Sequence, residues 1–149
     1  MSYLSVAWLT FILAFSTPAV KTVEKAFLQN NPRLLYDCLV PDGRILVSMP
    51  APISFSDQLT SQQTVFLFRD IFSAFETLEF FPEKGPGSLG PRAGFILKAR
   101  WSLRDRRNRN LYVLRVFFYF KAATPAEESP RSPGPLSPWK ISAIKAILI

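Results

Sequence analysis

Gly94–Arg104, GFILKARWSLR, and Asn110–Lys121, NLYVLRVFFYFK, decide the fold between them. In the first stretch Phe95, Leu97, Ala99, Trp101 and Leu103 fall on one side, and Ile96, Lys98, Arg100, Ser102 and Arg104 on the other. Successive side chains of a strand point to opposite faces, so this alternation predicts a strand with one buried face and one basic, wet face. In the second stretch Tyr112, Leu114, Val116, Phe118 and Phe120 form a uniform apolar face. Opposite it stand Leu111, Val113, Arg115, Phe117 and Tyr119, a mixed set. Two such strands joined by a short polar tip predict a long antiparallel hairpin.

Working outward from the hairpin, Trp139–Ile149 reads as a final strand. It is reached through residues 124–138, which hold five of the 13 prolines and read as a mobile connection rather than a domain boundary. Upstream, Pro82–Pro91 is a Gly- and Pro-rich loop, and Thr77–Phe81 a further strand. Thr60 with Gln63 fits a capping box that opens a helix running to about Phe75. Its buried stripe is Phe68, Ile71, Phe72 and Phe75, extended by Val65 and Leu67. Pro50–Asp57 reads as a loop, and Ile45, Val47 and Met49 as the inward side of a short strand.

Two more helices precede these elements. Thr17-Pro18 and Asn31-Pro32 each pair a cap with a proline at the first helical position, where a missing N–H is harmless. Val20, Val23, Phe27 and Leu28 share one face of the first helix, and Leu34, Leu35, Cys38 and Leu39 one face of the second. Pro41-Asp42-Gly43 is a turn. The expectation is an α+β domain over residues 17–149, with three N-terminal helices packed on a curved antiparallel sheet. No internal repeat is visible.

Composition excludes more than it suggests. A chain of 149 residues with 48% hydrophobic and 19% charged residues is globular rather than disordered. Its 14 phenylalanines can stabilise a core without a disulfide, and the lone Cys38 permits none within the chain. On its apolar helix face Cys38 reads as a small buried residue rather than a reactive thiol. The absence of histidine excludes Ser-His-Asp and Cys-His hydrolysis and His-ligated zinc or haem. No metal and no cofactor is expected.

Leu4–Phe15 is a run of twelve uncharged, largely apolar residues, too short to span a bilayer. It has the length of a signal-peptide core, and Ala14-Phe15-Ser16 offers small residues for a cleavage site. Residues 1–16 are therefore expected to direct export to the periplasm or beyond, or else to attach the protein to a membrane.

The run AFLQNNPRLL, Ala26–Leu35, resembles the break between the first and second helices of the nuclear-transport-factor-2-like superfamily. Thr60–Phe75 as a third helix and the Gly94–Lys121 hairpin extend the likeness over about residues 18–149, chiefly to small exported bacterial members of unknown function. The resemblance implies a cystatin-like cone whose wide end can hold a hydrophobic pocket; Trp101, Tyr112 and Phe118 stand on the faces that would line it, although aromatic residues at period-two spacing more often fill a core. The expectation is a non-enzymatic domain binding a small apolar ligand or a protein partner, on a sheet of a kind that often forms homodimers. Some members of the superfamily are enzymes that use an Asp, a Tyr and sometimes a His. Here no carboxylate is expected on an apolar strand face.

One feature stands apart from that reading. The formal charge is +7, and Arg104, Arg106, Arg107 and Arg109 crowd the hairpin tip. Arginine forks suit phosphates and carboxylates, so the alternative is a basic module that uses this tip on nucleic acid or a phospholipid surface.

Overall fold

The computed structural model describes residues 18–83, 87–88, 94–122 and 139–149. Residues 1–17 and 124–138, with the expectations placed on them, lie outside the described residues. The helices are α1 (Pro18–Leu28), α2 (Arg33–Tyr36) and α3 (Ser61–Ala74). The strands are β1 (Ile45–Met49), β2 (Phe55–Leu59), β3 (Phe75–Pro82), β4 (Gly87–Ser88), β5 (Phe95–Asp105), β6 (Leu111–Ala122) and β7 (Trp139–Leu148). The sheet runs β2-β1-β7-β6-β5-β3, with the short β4 also paired to β5.

The central hairpin has the expected register. Leu103 faces Tyr112, Trp101 faces Leu114, Ala99 faces Val116, and Leu97 faces Phe118. On that face Trp101, Leu103, Leu114, Val116 and Phe118 are fully buried. The α3 capping box is also present: the Thr60 hydroxyl accepts from the Gln63 N–H at 3.2 Å, and Gln63 Oε1 accepts from the Thr60 N–H at 3.0 Å. Phe75 leaves the helix in an extended conformation and opens β3, still buried.

Four expectations need correction. Leu28 is 49% exposed, and Ala19 and Ala26 join Val20, Val23 and Phe27 on the buried stripe of α1. The second helix stops at Tyr36. Beyond it Cys38 and Leu39 stay buried because the backbone turns to β7: the Ile141 N–H donates to the Cys38 carbonyl at 2.7 Å. Phe55–Leu59, read partly as loop, is a strand antiparallel to β1, from Met49 opposite Phe55 to Ile45 opposite Leu59. Its centre, Ser56, Asp57 and Gln58, is exposed, so an edge strand carries no apolar face to betray it. Finally, the sheet is not wholly antiparallel, since β1 runs parallel to β7.

Candidate functional site

Phe27 marks the meeting point of helices and sheet. It is fully buried, and its ring centroid lies 4.6 Å from that of Phe80, 5.0 Å from Trp101 and 5.3 Å from Phe72. Phe68 and Phe118 complete the shell at 5.6 Å each. Phe80 stacks on Phe27, and the others meet it edge-on or steeply tilted, the arrangements that ring quadrupoles favour. Of the three residues assigned to a pocket, Trp101 and Phe118 therefore belong to this cluster. Tyr112 lies at the partly buried margin of the core, opposite Leu103.

The polar end of Trp101 is also engaged, since its indole N–H donates to the Thr77 hydroxyl at 2.9 Å. A bulge makes that contact. The register of β3 against β5 shifts between Thr77 and Glu79, so Thr77 and Phe80 both turn inward although they stand three positions apart. Leu78, the extra residue, is 38% exposed. No alternation in the sequence predicts this contact, because a bulge interrupts the alternation.

At the hairpin tip the four arginines have separate placements. Arg104 pairs with Glu76 on β3 at 3.9 Å. The Arg106 backbone N–H donates to the Ala74 carbonyl at 3.0 Å, and its guanidinium reaches the Phe72 carbonyl at 3.5 Å, at the C-terminal end of α3. Arg107 Nε lies 3.6 Å from Asp105. Arg109 adopts φ 61° and donates its backbone N–H to the Asp105 carbonyl. The tip is thus tied together by Asp105, which was not expected to be a buried group.

Asp105 stands on the inward face at the end of β5, 3% exposed, and corrects the expectation that no carboxylate would do so. Its Oδ1 accepts from the Arg107 N–H at 2.9 Å, an Asx turn. The run Asp105-Arg106-Arg107-Asn108 carries that turn signal, which the surrounding charge obscures.

Cys38 is buried with its Sγ 3.8 Å from the Leu34 carbonyl. Burial pushes the thiol up to about 11, against a smaller downward pull from Lys140 and with a further rise from Asp37. It is a structural residue. Among the described residues no three His, Cys, Asp or Glu side chains converge on a common point.

No family model matches the sequence, and no curated protein does. Solved structures do match. A DUF4783 family protein from Bacteroides ovatus has a TM-score of 0.59 at 12% identity, over 86% of this chain and 93% of its own. An NTF2-like protein of unknown function in nutrient uptake, from Rhodospirillum rubrum, has a TM-score of 0.57 at 14% identity, over 88% and 95%. The fold is the nuclear-transport-factor-2-like cone. A hypothetical protein with a ketosteroid isomerase-like fold from Catenulispora acidiphila, in complex with trimethylamine, matches at 0.58 and 12% identity, over 89% and 86%. At these identities the likeness is one of fold, and function rests on the residues of this cone.

Proposed function

We propose that this chain is an exported, non-catalytic module that binds a partner through its surface. The observation that carries the reading is Phe27. In a cone fold the space between helices and sheet is where a ligand would lie, and here one phenylalanine and the five rings around it occupy that space. Asp105, the buried carboxylate, spends its contacts on the tip's own turn. A small organic ligand in that space would require Phe27 to leave its cluster.

A thermal-shift panel of small apolar compounds tests the reading. The wild-type melt should not move. A saturable rise of several degrees with any compound would return the interior pocket to first place. Export has its own test. N-terminal sequencing of the cell-envelope fraction should find Thr17 or a close neighbour first, and an intact Met1 form in the cytosol would defeat it.

A further inference from the structure

The ladders that bury one face of the sheet order a second set of side chains on the other. Arg100 on β5 stands opposite Arg115 on β6, with Phe81 beyond Arg100 on β3 and Ile147 beyond Arg115 on β7. In the adjacent row on the same face, Phe117 stands between Lys98 and Lys145. The Lys98 ammonium lies 5.9 Å from the centre of the Phe117 ring, and that of Lys145 lies 5.3 Å from the centre of the Tyr119 ring. Four cations therefore occupy two adjacent rows.

Folding does not call for this arrangement. Like charges directly opposite on neighbouring strands repel, and Arg100 with Arg115 is such a pair. Glu83 offsets one of the four charges, 3.1 Å from Arg115. Among the described residues no salt bridge includes Lys98, Arg100 or Lys145. Apolar side chains share the face: Phe81, 57% exposed, and Ile147, 48%, flank the arginines, and Leu111, 63%, lies nearer the tip opposite Arg104.

We propose that this outer face docks on the anionic headgroups of a phospholipid membrane, an inference that rests on the surface-binding reading above. The four cations meet phosphates, and Phe81, Ile147 and Leu111 on the same face enter the boundary between headgroups and acyl chains. A second copy of the chain fits badly, since the same face would set four cations against four. Single-stranded nucleic acid stacks its bases on open aromatic rings, whereas Phe117 and Tyr119 each already hold an ammonium group and the border is largely aliphatic.

The test is co-sedimentation of the full chain with vesicles of phosphatidylcholine, with and without about one-third phosphatidylglycerol, at low and high salt. Wild type runs beside a Lys98→Gln, Lys145→Gln double variant and an Arg109→Asn variant at the tip. All three carry residues 1–16, so any retention through that stretch cancels in the comparison. Wild type should bind anionic vesicles and release them as salt rises. The double variant should bind about 25-fold more weakly, about fivefold for each lysine removed, while Arg109→Asn matches wild type. If the double variant melts early, Lys145→Gln alone should still show a fivefold loss. Equal partition of wild type and double variant would overturn the proposal. So would retention on a single-stranded oligonucleotide or a protein partner without vesicle binding, although the surface-binding reading would then stand. A saturable small-molecule shift in the earlier panel, with no vesicle binding, would remove both.

Discussion

The inner and outer faces of the β5–β6 hairpin both carry aromatic rings, and those rings behave in opposite ways. Inside, Trp101 and Phe118 meet other rings and no charge, and every cross-strand neighbour is apolar. Outside, Phe117 has a lysine on each side, and Tyr119 lies under the Lys145 ammonium. Residues 117 and 118 are both phenylalanine, adjacent in the chain, yet one is core and the other a support for positive charge. The difference comes from the cross-strand partner rather than the residue type. On the inner face that partner completes a packed cluster; on the outer face it leaves charge available to something else.

If the inner face is one continuous cluster, removing its centre should have the largest effect. Phe27→Ala should lower stability by about 4 kcal/mol, read from urea melts. A loss below about 1 kcal/mol would mean that the rings collapse into the space and that the cone interior is adaptable after all. Next comes the open end of the hairpin, where β5 begins beside Phe120. Gly94 has φ 96°, and a β-carbon there would stand 1.8 Å from the Phe120 carbonyl oxygen. Gly94→Ala should cost about 3 kcal/mol, through backbone strain at the start of β5.

Thr77→Val keeps the shape but leaves the Trp101 N–H without its acceptor. A loss of about 2 kcal/mol is expected, with little change in the slope of the denaturation curve. A smaller effect comes from Cys38. Its thiol is raised from 9.0 to about 11, so the folded state holds the proton longer than the unfolded chain. Its contribution is therefore complete below pH 9 and is lost as pH rises towards 11, amounting to about 1.4 kcal/mol by pH 10. A comparison of wild type with Cys38→Ala across pH 8–10.5 checks this: the gap between their stabilities should narrow as pH rises. The outer face should give the smallest effect on stability. Lys98→Gln with Lys145→Gln should stay within about 0.5 kcal/mol of wild type while losing vesicle binding. A large loss of stability would make those lysines structural and erase the contrast between the faces.

Where one face is buried and the other wet, the chain announces its structure. The alternation of Phe95 to Leu103 and of Tyr112 to Phe120 is the direct record of that asymmetry, and the Thr60–Gln63 box is a local signal complete within four residues. Legibility fails where the determinant is distant or unpatterned. The bulge at Leu78 and the exposed strand Phe55–Leu59 leave no period to count. The parallel alignment of β1 with β7 depends on residues about a hundred positions apart. For the candidate site, the alternation puts Trp101 and Phe118 on the inward face, but whether that face holds a ligand or more rings depends on Phe27, which lies on a helix. The tip arginines were visible as a cluster, while the buried Asp105 that organises them was hidden among the charges.

The strand order also sets a sequence of events during synthesis. β7 lies between β1 and β6, so among the described residues the first two strands are joined to the hairpin sheet through residues 139–148. As the chain leaves the ribosome, α1 and β1 emerge long before the strand that connects β1 to the rest of the sheet. Until then the β1–β2 ribbon has the open flank of β1 unpaired, and the hairpin has the open flank of β6 unpaired. On the ribosome, therefore, the sheet cannot be completed until residues 139–148 have emerged.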